Sequence, residues 1–202
     1  MTLTKFLNWT IKLATILPFL YWIVGVNQAW LGVEPLVKIN SQSGYVVLIL
    51  LQVNLLVGAI HALHVTDIKW YRFLQMSRRF LGVMCGFYVV LHFLTYLAKE
   101  SFLPKGWTQI VTKTYLIAGS SSALILLVLA LTSNNFSTRL LKKNWKRLHR
   151  IIYLASIILL FHIFLIEKAN LLLLLIIVVP VLLMQFIRVI KLLNEKITKR
   201  SI

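Results

Sequence analysis

Six stretches of the chain contain no lysine, arginine, aspartate or glutamate: residues 13–33, 39–66, 80–98, 114–138, 151–166 and 169–187. Leucine, isoleucine and valine run through them without the strict alternation of a half-buried strand, so each reads as a helix. A helix needs about 20 largely apolar residues to cross roughly 30 Å of hydrocarbon. Only the stretch at 151–166 is clearly short, and Arg150 and Glu167 at its ends can snorkel towards the headgroups. Backbone in lipid must satisfy its own hydrogen bonds, which leaves helices as the spanning elements. The pattern predicts an all-α, polytopic membrane protein. It is one domain, 1–202, with six spanning helices near 10–31, 44–66, 80–98, 115–134, 150–167 and 170–190.

Composition agrees: 59% of residues are hydrophobic and 13% charged, against about half and a quarter in a soluble domain. The formal charge of +17 raises the question of nucleic acid, and the positions of the charges answer it. Seventeen of the 22 basic residues lie on one side of the predicted spans, from Lys5 and Lys12 through Arg78, Arg79 and the Arg139–Arg150 cluster to the tail. Only Lys38, Lys99, Lys105, Lys113 and Lys168 lie on the other. The positive-inside rule therefore puts both termini in the cytoplasm. This bias, with anionic lipid headgroups as its partner, accounts for the charge without nucleic acid. One cysteine, Cys85, excludes a disulfide framework and a CxxC redox motif. No removable signal peptide is expected at Met1. There is no Gly-rich phosphate loop, no GxGxxG fingerprint and no room for an appended nicotinamide or flavin module.

Ionisable side chains inside a span are costly and point to function. His61, His64, His92 and His162 fall in the uncharged stretches, and His149 sits at the mouth of the fifth span. The third and fifth spans run the same way. His92 is 12 residues beyond Phe80 and His162 is 12 beyond Arg150, so each lies about 18 Å above the cytoplasmic edge at 1.5 Å per residue. Two imidazoles at one depth on parallel helices suit the two faces of a haem. A proton-relay pair and two hydrogen-bonded core histidines fit the same spacing. Arg78 and His149 mark a second, inner level. Arg78 shares a helix face with His92, but 13 residues leave His149 about 140° from His162 on a straight helix. A bend, a π-turn or a separate ligand for His149 is required. A proton-coupled transporter would be another class of function, although the Gly/Pro-broken helix pairs of transporters are missing.

The residues Gly82-Val83, Leu91-His92-Phe93-Leu94-Thr95-Tyr96, Leu129-Ala130-Leu131-Thr132-Ser133, Trp145-Lys146-Arg147-Leu148-His149-Arg150 with Tyr153, and His162 carry a resemblance. They are similar to the haem-binding membrane subunit of the bacterial periplasmic methionine sulfoxide reductase system, the MsrQ type. That family lies within the ferric reductase-like transmembrane superfamily. The resemblance covers most of the chain and implies haem b between His92 and His162 in the bacterial inner membrane. It implies electron transfer to a periplasmic, molybdopterin-containing catalytic subunit that repairs oxidised methionine in envelope proteins. The quinone pool or a cytoplasmic flavin reductase is the implied donor, and FMN is associated with the family. Arg78, Arg79 and His149, with Lys146 and Arg147 nearby, then form a candidate inner site, although topology-setting charge explains the same cluster. A stand-alone ferric or quinone-linked reductase is the alternative within the superfamily.

Two features depart from the family. His61 and His64, at i and i+3, offer an inner ligand that could complete a second haem with His149; interfacial histidines facing headgroups are the alternative. Lys113-Thr114 stands where the family often has Arg-Pro. Elsewhere, Cys85 is expected as a small buried apolar residue. Trp22, Trp30, Trp70, Trp107 and Trp145 are expected in an aromatic belt. Ser120, Ser121 and Ser122 are expected in close helix packing, and Gln52 and Asn54 in interhelical hydrogen bonds.

Overall fold

The computed structural model describes residues 3–63, 68–166 and 171–198. They form nine helices and no strand: α1 (Leu3–Asn27), α2 (Pro35–Leu63), α3 (Ile68–Lys99), α4 (Pro104–Thr112), α5 (Thr114–Leu131), α6 (Asn135–Leu141), α7 (Lys143–His149), α8 (Ile152–Phe164) and α9 (Leu171–Thr198). Six stretches among the described residues are long and apolar enough to span a membrane, with α7 and α8 together making the fifth. The outward faces are apolar: Leu124, Phe164, Ile176 and Phe186 are each more than 60% exposed. Such a surface belongs in lipid.

α2 and α3, α3 and α5, and α5 and α8 pack antiparallel, as their cross-contacts record. A Cβ on Gly44 or Gly58 of α2 would meet His92 or Arg78 of α3, respectively. Arg79 of α3 reaches Ser133 and Asn135 beyond α5, while Ser122 of α5 donates to the Ala155 carbonyl of α8. The main packing pairs are α2 with α3, α5 with α8, α3 with α5, and α2 with α9. Thus α3 and α8 are both held by α5, the helix between them. Gln185 ties α9 to the Leu55 carbonyl of α2. On α1, the Pro18 ring denies Ala14 its helical donor, and next to that gap Tyr88 donates to the Thr15 carbonyl at 2.5 Å.

Helix ends differ from the charge-defined expectation. α2 begins at Pro35 rather than near 44, and α3 at Ile68 rather than near 80. A charged residue ends the hydrocarbon-embedded part of a helix without ending the helix, because outside the lipid core its head is solvated. α1 stops at Asn27, where Ala29 (φ 57°) and Gly32 (φ 83°) turn the chain through left-handed conformations. Three short helices, α4 and α6 in the loops and α7 at the start of the fifth span, carry no apolar run long enough to announce them. Trp22 is buried and donates to Gln42 rather than standing in an interfacial belt. Trp30 and Trp107 are exposed, as a belt requires. Asn54 bonds the Leu50 carbonyl of its own helix. Gln52 keeps its Nε2 without a partner among the described residues. Cys85 and Ser122 are buried as expected.

Candidate functional site

His92 sits on α3 about two turns before Lys99, and His162 one residue before the penultimate position of α8 is passed, so both lie towards the same end of the bundle. That end also holds the first turns of α2 and α5, with α4 beside them. His92 Nδ1 is 2.8 Å from the Asn40 carbonyl and 3.2 Å from Ser43 Oγ. A carbonyl can only accept, so Nδ1 carries the proton and Nε2 the lone pair. His162 follows the same logic: its Nδ1 is 2.6 Å from the Tyr115 carbonyl, leaving Nε2 unprotonated. Each imidazole is fixed as the same tautomer by a main-chain oxygen of the neighbouring helix. This is how metal-binding histidines are usually oriented.

Two glycines make room for the rings. A Cβ on Gly44 would stand 3.1 Å from His92 Cε1, and one on Gly119 only 2.7 Å from His162 Cε1 and Nδ1. The Tyr115 ring lies roughly parallel to that of His162, at 6.2 Å between centroids. His162 is 8% exposed and His92 half-buried. No group of three or more metal-ligating side chains occurs among the described residues. Two neutral imidazoles, each with an unprotonated Nε2, are a donor set that would suit a haem iron.

The inner level is organised differently. The helix break between α7 and α8 is bridged by three-residue bonds from Arg150 to Arg147 and from Ile151 to Leu148. This overwound joint lets His149 meet the same neighbour, α5, that His162 meets. Of the alternatives the sequence spacing left open, the structure shows a break in the helix between the two histidines. Thr132 donates its hydroxyl to the Val128 carbonyl at 2.8 Å and so accepts from His149 Nε2 at 3.2 Å. Trp145 stacks on the His149 ring at 4.0 Å and donates to the Thr132 carbonyl. The Arg78 guanidinium lies beside Gly58 of α2, within electrostatic range of His149. Arg79 turns away, donating to the Ser133 carbonyl at 2.5 Å and to Asn135 Oδ1 at 2.7 Å. It thus ties α3 to the start of α6. His61 stands in the last turn of α2, and His64 lies outside the described residues.

Asn40, Ser43 and Tyr115 were not legible as site residues, because two of the three act through main-chain carbonyls that any residue possesses. A glycine placed 14 residues from another on one helix, matching the 14-residue Arg78–His92 interval on the next, is a signal that could have found Gly44 and Gly58.

Comparison with known proteins follows this geometry. Residues 43–160 match the family described as ferric reductase like transmembrane component, a match that contains His92 and stops two residues short of His162. The protein-methionine-sulfoxide reductase heme-binding subunit MsrQ of Yersinia enterocolitica is 34% identical over 164 residues, 78% of each chain. The protein of the same name from Pectobacterium carotovorum is 34% identical over 75% of each chain. That from Rhodospirillum rubrum is 32% identical over 78% of this chain and 75% of its own. No solved structure matches. With a family match over more than half its length and these relatives over three-quarters of it, the chain belongs to the ferric reductase-like transmembrane family, in its MsrQ branch.

Proposed function

We propose that this protein is the electron-transferring membrane subunit of an oxidoreductase, with haem b held by His92 and His162. The observation that carries the reading is the matched pair of Nδ1–H···O=C bonds, which leaves two Nε2 lone pairs at one end of the bundle. When bound, the haem supplies a one-electron ferric/ferrous couple. The chain's own residues hold and orient it: the Asn40 and Tyr115 carbonyls fix the tautomers, and Gly44 and Gly119 let the rings lie flush against α2 and α5. Buried neighbours such as Tyr88, Val89 and Leu159 keep water away.

The distribution of basic residues supports an orientation with the Lys99 end outside and both termini in the cytoplasm. The relatives are named as subunits of a protein-methionine-sulfoxide reductase. On that basis the acceptor is a periplasmic, molybdenum-containing methionine sulfoxide reductase, reached across the inner membrane. The donor is the quinone pool or a cytoplasmic flavin reductase. At the inner level, Arg78 offers a planar, bidentate partner to a phosphate, next to His149, and this is the site we assign to FMN. A second haem on His149 and His61 or His64 would compete for the same place, and iron-to-protein stoichiometry separates the two.

The test is haem content by pyridine haemochrome in purified wild type, His92→Ala and His162→Ala. The expected result is a full complement in the wild type and its loss in both variants, with helix content unchanged by circular dichroism. Full retention in both variants would overturn the assignment.

A further inference from the structure

The two imidazoles are held in unequal ways. His162 gives its proton to one acceptor, the Tyr115 carbonyl, at 2.6 Å. His92 divides its proton between the Asn40 carbonyl at 2.8 Å and Ser43 Oγ at 3.2 Å. The Asn40 carbonyl is in turn shared, since Ser43 donates its hydroxyl to it at 2.9 Å. A carbonyl that already accepts one hydrogen bond draws less strongly on a second donor, and a divided N–H bond is weaker than a single linear one. The Asn40 side chain meanwhile returns across the helix pair. Its Nδ2 donates to the His92 carbonyl at 2.8 Å and to Thr95 Oγ1 at 3.2 Å. Thr95 itself donates to the Leu91 and His92 carbonyls. Asn40 thus grips His92 at ring and backbone together, and Ser43 and Thr95 are both buried.

We propose that Asn40 and Ser43 are positioning residues that fix the plane of the His92 imidazole and make it the weaker electron donor of the two axial ligands. This rests on the reading that His92 and His162 ligate haem. A histidine whose Nδ1–H is strongly bonded becomes more basic at Nε2 and stabilises the ferric state. Ser43, by competing for the Asn40 carbonyl, works against that effect at His92 and raises the reduction potential. Through its two side-chain bonds to the His92 carbonyl and Thr95 Oγ1, Asn40 ties α2 to α3 and so keeps its own main-chain carbonyl in register with the ring.

The experiment is potentiometric titration and low-temperature electron paramagnetic resonance on purified Ser43→Ala and Asn40→Leu. Asn54→Leu, a change in the same helix at a side chain that bonds the Leu50 carbonyl of that helix, is the control. Ser43→Ala is expected to keep the wild-type haem ratio and shift the midpoint to lower potential. Asn40→Leu is expected to shift and broaden the low-spin ferric signal, because the Asn40 carbonyl is no longer held in register with the ring by the side-chain tie to α3, and Asn54→Leu to change neither. The proposal is overturned if Ser43→Ala and Asn40→Leu both match wild type in potential and signal while His92→Ala still abolishes haem binding. A wild type without a bis-histidine signal would instead remove the haem reading itself, and this proposal with it. Should Asn40→Leu fail to fold, the sign of the Ser43→Ala shift decides alone, and a rise in potential counts against the proposal.

Discussion

At Gly119 the surface of α5 is bare where the His162 ring lies against it, and a Cβ there would stand 2.7 Å from two ring atoms. At Gly44 the corresponding approach to His92 is 3.1 Å. The first distance cannot be kept, whereas the second asks a neighbour to give by a few tenths of an ångström. Gly119→Ala should therefore displace the imidazole or cost about 1–3 kcal/mol of overpacking strain. We expect it to lose most of its haem, and Gly44→Ala to lose less, as read by the haem-to-protein ratio of folded material. Equal ratios in both variants and wild type would show that the cradles are incidental. The sequence made His92 and His162 visible through equal depth on parallel helices. It concealed Asn40, Ser43 and Tyr115 for a physical reason. A main-chain carbonyl has no side-chain signature, and the expected start near 44 left Asn40 and Ser43 outside the second helix although both lie in the charge-free stretch.

Between α3 and α5 the backbones approach closely at Gly86, where a Cβ would lie 2.3 Å from that of Ala130. Small residues allow such approach, and membrane helices rely on this packing where lipid supplies no hydrophobic drive. Gly86→Ala is expected to push α3 from α5 and lower the thermal midpoint in detergent, with Ala130→Gly in the same chain restoring most of the loss. No recovery in the double variant would place the damage elsewhere. The element order was largely legible because apolar runs announce spans. α4, α6 and α7 were not, being short segments stabilised by their surroundings: Tyr96 Oη approaches the Gly106 carbonyl and Gln109, and Asn134 caps α6 through the Ser137 N–H. The break at Arg150 was legible only as a geometric need, since a straight helix could not aim His149 and His162 at one neighbour.

For the molecule as a whole, 17 of 22 basic residues on one side predict the orientation. The single native cysteine is buried, so introduced thiols can report it. Thr112→Cys, beyond the Lys99 end, should react with a membrane-impermeant maleimide in intact cells. Thr138→Cys, at the opposite end, should react only after the membrane is opened. The reverse pattern would invert the proposed direction of electron flow. The site's place near one end of the bundle gives the orientation its consequence: with the Lys99 end outside, an acceptor beyond the membrane is closer to the paired imidazoles than a donor in the cytoplasm. The most direct measurement of the central claim is the absorption spectrum of purified protein, oxidised and then dithionite-reduced, for wild type and His92→Ala. The account predicts sharp low-spin b-type bands in the reduced wild type that disappear in the variant. A colourless wild type, or bands unchanged by removing His92, would contradict it.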